Sequence, residues 1–277
     1  MLSRVTLNVA FAENRIDVRA RDYIQDLAAS GRYHFTSSEA FEAIPGSPAA
    51  IRAQLRRLRK QGLIAEPARS FHVIVPPEFR RIGCPPAEQF IDQLMKVQRE
   101  PYYVALLSAA ERHGAAHQRP QYLQVMLRKN RRPLECGHVR VEFVARGDLE
   151  QLPTTTLNTR RGVLHYATPE VTALELVGYP NHAGGLSNVA TVLSELAEEL
   201  DASKLLDAAR LSPVSWSQRL GYLLERLGEE DLARGISAFV QDKARSLTPL
   251  RRAASTSGAK RSPTWKLIVN ADVELDQ

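Results

Sequence analysis

Residues 47–64, Ser-Pro-Ala-Ala-Ile-Arg-Ala-Gln-Leu-Arg-Arg-Leu-Arg-Lys-Gln-Gly-Leu-Ile, constrain the fold of this chain more than any other stretch. The run carries five basic and no acidic side chains between a Pro-Gly-Ser turn and a glycine. At roughly 100° per residue, Ile51, Leu55 and Leu58 share one narrow face, while Ala49, Arg52, Ala53, Arg56, Arg57 and Lys60 spread over the other. One face packs and the other is left for a polyanion. Ala49 and Ala53 are small enough to let a helix sit deep in a major groove while the arginines reach bases and phosphates.

The neighbouring segments predict how this helix is mounted. Asp17 to Ser30 reads as a first helix, with Ile24, Leu27 and Ala28 on one face and Gly31 as its stop. Phe35 to Ile44 reads as a second, with Thr36 or Ser37 as N-cap and Ala40, Phe41 and Ile44 as core. Ser47 caps the third, with Pro48 at its first position, where the missing N–H costs nothing. Gly62 ends it. Leu63-Ile64, Glu66 to Ser70 and Phe71 to Val75 then read as strand, turn and strand. That is the order of a winged helix-turn-helix.

Pro76-Pro77 and Cys84-Pro-Pro86 bracket a connector, which places the domain boundary near residue 80. Helical patterns at Glu88 to Val97 and Tyr102 to His113 follow, the second apolar on most sides. Tyr122 to Leu127, Val139 to Val144 and Val163 to Tyr166 have strand character. Thr168-Pro169-Glu170 opens a helix running through Val177, with cap, proline and an acid at the positive end of the dipole. Leu186 to Leu200, Ser215 to Leu227 and Asp231 to Lys243 read as three more amphipathic helices. Residues 248–263, rich in Ser, Ala and basic side chains, read as a loose linker before a last strand at 265–269, expected to complete a sheet of this domain or of another chain. The expected fold is α+β: a winged helix-turn-helix over 1–80, and over 81–277 a larger mixed α/β domain with a helical bundle.

A 277-residue chain suits two such domains. Its 44% hydrophobic, 25% charged and 6% aromatic residues exclude a low-complexity or disordered chain. The net charge of +6 suits a polyanionic partner, although its clustering says more than its total. Two cysteines, Cys84 and Cys136, form no disulfide framework, and a reducing cytoplasm is expected. The first residues are shorter and more polar than a signal-peptide core, and no apolar run approaches a membrane span.

The winged helix-turn-helix order, followed by Pro101-Tyr-Tyr-Val-Ala-Leu-Leu-Ser-Ala-Ala-Glu-Arg-His-Gly114 and by Tyr166-Ala-Thr-Pro-Glu-Val-Thr-Ala-Leu-Glu-Leu176, resembles the AbiE-type abortive-infection antitoxins, the AbiEi family of transcriptional regulators. The likeness runs from about Asp17 to Asn270, and Glu175 stands where such proteins often carry Asp. The resemblance implies a cytoplasmic repressor of its own operon, with a C-terminal domain that neutralises a nucleotidyltransferase-like toxin encoded beside it in a type IV toxin–antitoxin, phage-defence system. The residues themselves speak only for the DNA-binding half.

Within that half, Arg52 and Arg56, one turn apart, are the candidates for base edges, and Arg57 and Lys60 for phosphates. Arg59, nearer the packed face, reads as structural. Thr36, Ser37 and Ser47 are either caps or phosphate contacts. Arg69 at the wing tip is a minor-groove or backbone candidate. One winged domain reads few base pairs, so operator DNA with inverted repeats is expected. Arg128, Lys129, Arg131 and Arg132 form a second basic patch that faces DNA, a toxin surface or solvent.

No chemistry of catalysis or metal binding is expected, and no cofactor. His113 and His117 have a zinc-helix spacing broken by Gly114 with no further ligand nearby, and Cys136-Gly-His138 is equally thin. Gly185-Leu-Ser187 lacks the paired carboxylates of a nucleotidyltransferase, Glu142 lacks the lysine of a nuclease strand, and neither a nucleophile elbow nor a Walker loop occurs. Two alternatives stand beside the antitoxin reading. A ligand-sensing winged-helix repressor requires a concave metabolite pocket, and a nucleic-acid-processing enzyme requires a carboxylate pattern this chain lacks.

Overall fold

The computed structural model describes residues 19–115, 120–159 and 161–273. Asp17, the expected start of the first helix, and His117 lie outside them. In chain order the elements are α1 (19–29), β1 (His34–Thr36), α2 (Ser37–Ala43), α3 (Pro48–Lys60), β2 (Ile64–Ala68), β3 (Phe71–Ile74) and α4 (Ile91–Gln98). Next come β4 (Tyr103–Val104), α5 (Leu106–Arg112), β5 (Leu123–Leu127), β6 (Leu134–Cys136), β7 (Val139–Ala145), β8 (Thr154–Thr159) and β9 (Gly162–Ala167). The rest is α6 (Pro169–Gly178), α7 (Leu186–Leu196), α8 (Ala202–Arg210), α9 (Val214–Leu227), α10 (Glu230–Lys243), β10 (Thr248–Pro249), β11 (Lys260–Ser262) and β12 (Leu267–Val269). Among the described residues the sheets are ordered β1-β3-β2, β6-β7-β5-β4-β9-β8 and β10-β12-β11. The class is α+β: N-terminal helices with a small antiparallel sheet, then a larger mixed sheet and a helical C-terminal region.

The chain divides into two compact units. One takes in residues up to Glu100 together with 132–142 and 158–164; the other takes in 101–131, 143–157 and 165–277. The division therefore falls at residue 100 rather than near 80, and two later hairpin segments join the first unit.

In the first unit α1, α2 and α3 close over the small sheet in winged helix-turn-helix order. Ala20, Ile24, Phe35, Ala40, Ile44, Ile51, Leu55, Leu58, Ile64 and Ile74 form one buried cluster, drawn from the apolar face of each element as the 3.6-residue period requires. Phe35 sits in β1 rather than in the second helix. It pairs with His72 across the antiparallel β1-β3 ladder and stacks on that ring at 5.0 Å, and α2 begins only after Thr36. Pro67, which has no N–H to give a ladder, is tolerated because β2 is an edge of its sheet and its register shifts between Ala65 and Ala68.

In the second unit β4 lies between β5 and β9, antiparallel to the first and parallel to the second. The expected helix from Tyr102 is thus a short buried strand followed by α5. A continuous apolar run fits either element, and periodicity cannot separate them. The switch occurs at Leu106, whose φ of 53° lies in the left-handed region. The buried Gln124 holds the bend, its Oε1 accepting from the Leu107 N–H at 2.9 Å. Thr168 caps α6 as expected, accepting from the Val171 N–H at 3.4 Å. The helix α8, absent from the sequence reading, starts at Asp201, whose Oδ1 accepts from the N–H groups of Ser203 and Lys204, each at 2.9 Å.

Residues 248–263 are not a loose linker. They carry β10 and β11, both paired with β12. Polar side chains of α9 hold them. Gln218 Nε2 donates to the Lys266 carbonyl at 2.7 Å, Thr248 Oγ1 donates back to Gln218 Oε1 at 2.7 Å, and Arg219 Nε donates to the Pro249 carbonyl at 3.1 Å. Burial, with a smaller push from Arg252, brings the Arg219 guanidinium down to about 10. Trp265 is sealed against Gly221 and donates its Nε1–H to Glu225 at 2.7 Å. Among the described residues no helix is long and apolar enough to cross a membrane.

Candidate nucleic-acid interface

Helix α3 is built to present one face. Ser47 accepts from the Ala50 N–H at 3.3 Å, Pro48 occupies the first turn, and Ile51, Leu55 and Leu58 are buried. Ala49, Arg52 and Arg56 are exposed on the opposite face, with Ala53 and Arg57 half-buried and Arg59 and Lys60 exposed at the C-terminal end. Gln54 is buried as well, a position that the apolar pattern does not reveal.

Two contacts fix the arginines of this face. The Arg52 guanidinium lies 5.2 Å from the centroid of the Phe41 ring, so a cation–π contact from α2 orients it. Arg59 pairs with Glu66 at 2.5 Å, and Glu66 Oε1 accepts from the Ser70 N–H at 3.2 Å. Arg59 thus ties the end of α3 to the wing turn, the structural role its position on the helix suggests. Ser70, in that turn, has a φ of 63°, and Arg69 beside it is exposed.

The hydroxyl groups singled out in the sequence are already engaged. Thr36 caps α2 in a reciprocal capping box with Glu39: its Oγ1 accepts from the Glu39 N–H at 3.3 Å, and its own N–H donates to Glu39 Oε2 at 2.6 Å. Burial opposes the charge on Glu39, but hydrogen bonds from Arg32 and Thr36 outweigh it and hold the carboxyl below its ordinary range. Ser37 Oγ meets His72 Nε2 at 2.9 Å, and the Ser37 N–H donates to the Ser70 carbonyl at 2.9 Å. His72 is 5% exposed, and burial lowers its pKa below the usual imidazole value, Glu66 and Arg59 adding opposite, smaller pulls.

Together α2, α3 and the wing enclose an open groove of about 550 Å³. Arg52, Arg56, Arg59 and Arg69 line it, with Ser37 and His72 at its floor and Glu66 as its one lining acid. Four guanidinium groups around a groove beside an exposed helix face have the chemistry to hold phosphodiester oxygens.

The second basic patch is placed differently. Arg128 is ion-paired with Glu150, the Arg131 guanidinium lies 4.9 Å from the centroid of the Phe143 ring, and Lys129 and Arg132 are exposed. His113 spends its Nε2 on the Ala167 carbonyl at 2.8 Å. Glu142 is half-buried on β7, and Gly185 precedes α7 as its cap residue.

Sequence reading missed the polar knot of the second unit. Arg146 donates from Nη1 to Glu175 Oε1 at 2.9 Å, from Nε to Asp148 Oδ1 at 3.0 Å and from Nη2 to Ser212 Oγ at 2.9 Å, while its guanidinium lies 4.9 Å from the centroid of a Trp216 ring. The Tyr103 hydroxyl donates to the same Glu175 oxygen. Burial drives the Glu175 carboxyl above its ordinary range, and Arg146 and Tyr103 pull it only part of the way back. The only trace of this in the sequence is a glutamate amid the apolar run of α6.

Residues 103–226 match the family described as the AbiEi antitoxin C-terminal domain. The chain is similar in fold to the crystal structure of the RV2827C protein from Mycobacterium tuberculosis, with a TM-score of 0.65 and 19% identity over 91% of this chain and 91% of that chain. At that identity the likeness speaks for the fold. No curated protein matches the sequence.

Proposed function

Since residues 103–226 belong to the AbiEi antitoxin C-terminal domain family, we propose that the chain is an antitoxin that also represses its own operon by binding operator DNA through α3 and the wing. The observation that carries the DNA-binding half is the exposed face of α3, where Arg52 and Arg56 stand one turn apart beside small Ala49, next to a groove lined by four arginines. Arg52 and Arg56 read base edges in the major groove, Arg57 and Lys60 contact phosphate, and Arg69 touches the flanking backbone. Ser37 and Ser47 lie at the starts of their helices, beside that backbone, and Thr36 supports them as a cap. Two chains occupy the halves of an inverted repeat.

The family match supports the second half of the reading: the second unit neutralises a nucleotidyltransferase-like toxin encoded beside this gene. The patch at Arg128, Lys129, Arg131 and Arg132 serves as a further contact for nucleic acid or for an acidic toxin surface. The protein acts as a cytoplasmic regulator in phage defence without catalysis of its own.

The test is growth rescue in cells expressing the neighbouring gene product, with the full chain and with a full-length variant in which Arg52, Arg56 and Arg57 are alanine. Binding of both proteins to the operon's promoter fragment is measured in parallel. Rescue by both, with promoter binding by the first alone, is the expected result. A toxic neighbour that the full chain does not neutralise overturns the antitoxin reading, and promoter binding undiminished in the variant overturns the assignment of α3.

A further inference from the structure

The only two cysteines of the chain are 52 residues apart in sequence, counting from Cys84 to Cys136, and they meet in the first unit. The His138 N–H donates to the Ile82 carbonyl at 2.8 Å. One residue further in on each side, Gly83 and Gly137 cross so closely that a Cβ on Gly137 would lie 2.9 Å from the Gly83 Cα and 2.1 Å from the Ile82 carbonyl oxygen. The runs 82–84 and 136–138 therefore cross at these two glycines, and Cys84 and Cys136, each adjacent to its glycine, are brought into one neighbourhood. Both thiols are free and buried, and each perturbs the ionisation of the other.

The two thiols are not equivalent. Cys84 is fully buried, and its neighbour Cys136, together with burial, pushes its thiol well above the ordinary range. Cys136 is 9% exposed and is followed by the exposed Gly137-His138 turn. Its thiol is lowered first by Cys84; burial opposes this, the Glu66 backbone N–H and the Arg59 charge lower it further, and the Glu66 carboxylate opposes them. A thiol lowered toward ionisation, beside a second thiol that is raised, is the arrangement of an attacking and a resolving cysteine.

We propose that Cys84 and Cys136 are a peroxide-responsive pair that forms a reversible intramolecular disulfide, with hydrogen peroxide as oxidant. The Cys136 thiolate attacks one peroxide oxygen, the O–O bond breaks, and hydroxide leaves to take up a proton as water. Cys136 is then a sulfenic acid. The Cys84 sulfur attacks the Cys136 sulfur, its S–H proton joins the departing hydroxyl as a second water, and the S–S bond forms. Both sulfurs are oxidised by one electron equivalent each and the peroxide is reduced to two waters. Residues 82–84, which follow the Pro76-Pro77 turn, become covalently joined to the β6-β7 hairpin, whose β6 packs beside β2 of the wing.

The test treats the reduced, full-length protein with hydrogen peroxide, unfolds it in acid, blocks free thiols with a maleimide, and maps the peptides by mass. The expected result is loss of both free thiols, one peptide pair linked through Cys84 and Cys136, and full recovery of the thiols with dithiothreitol. In Cys84→Ser a sulfenic acid at Cys136, trapped by dimedone, is expected, whereas in Cys136→Ser the Cys84 thiol survives. Peroxide treatment of the wild-type chain that leaves both thiols free, oxidises them separately, or links them only between chains overturns the proposal whether or not either variant folds.

Discussion

Arg146 and Glu175 meet at 2.9 Å with 2% and 0% of their side chains exposed, an ion pair sealed inside the second unit. Every polar atom of the guanidinium is employed, since Nε and Nη2 go to Asp148 and Ser212. A pair so enclosed is held in place by the cost of separating it: the charges are expensive to bury, and more expensive to leave alone.

Replacing Arg146 by methionine strands the Glu175 carboxylate, and a loss of about 3–5 kcal/mol is expected. The double change Arg146→Met with Glu175→Leu recovers most of it, because no charge is then left without a partner. Urea unfolding followed by tryptophan fluorescence checks this, since both tryptophans of the chain, Trp216 and Trp265, lie in the second unit. A double variant no more stable than the single one contradicts the expectation.

On DNA, Arg56→Ala and Arg52→Ala change the preferred sequence, each weakening the cognate site by about 1–3 kcal/mol relative to a mismatched one. Arg57→Ala and Lys60→Ala weaken all sequences alike and lower the salt slope by about one. Titrations on operator and scrambled duplexes at several salt concentrations separate the two behaviours. Uniform responses across all four variants would sink the division of roles.

A Cβ on Gly221 would lie 2.0 Å from the Trp265 ring, with further ring atoms at 2.3 and 2.4 Å. Either α9 or the tryptophan must move, and the tryptophan is anchored by Glu225. Gly221→Ala should therefore cost about 1–3 kcal/mol or more through overpacking, despite the better helix propensity of alanine. Gly235→Ala, on α10, is the control: its nearest neighbour would be 3.5 Å away, so the substitution is expected to leave the melting temperature unchanged or raised.

His34 and His72 both have pKa values lowered mainly by burial in the first unit. The unfolded chain then binds protons that the folded one refuses. Their stabilising effect is complete above the unfolded imidazole value of about 6.5 and is lost as the pH falls toward their lower folded values. His72→Gln, which retains a polar group toward Ser37, is expected to flatten that loss. Denaturation of the two proteins at a series of pH values below about 7 gives the comparison, and parallel curves would exclude His72 as a source.

What the sequence made legible follows from the physics of each signal. The winged order could be read because α3 combines a cap, a proline at its first turn and a clean apolar period, and because the wing lies between two β-rich runs. The α6 start was visible in Thr168-Pro169-Glu170 for the same reason. In contrast, β8 is an exposed edge strand of Thr, Leu and Asn and carries almost no apolar alternation. The 248–263 segment is held by side-chain hydrogen bonds to backbone, among them Asn270 Nδ2 to the Arg251 carbonyl at 2.9 Å. Such bonds leave no periodic mark. The Arg146–Glu175 pair joins residues distant in sequence, so only the fold brings it into view. In the groove the basic residues and the structural place of Arg59 were recognisable, but its partner Glu66 was not, since an ion pair across a turn has no signature in a helical wheel.

The division of the chain also bears on how the protein is made. The first unit is unfinished when Glu100 has been synthesised, because residues 132–142 and 158–164 belong to it. The winged helix-turn-helix therefore leaves the ribosome before its supporting hairpins exist, and the first strands of the second unit are made in between. Domains usually fold as units in the order of synthesis; here completion of the first waits for chain made after the second has begun. A nascent chain arrested before residue 164 would carry the basic helix without its full frame, which ties the maturation of the two units to a common moment in translation.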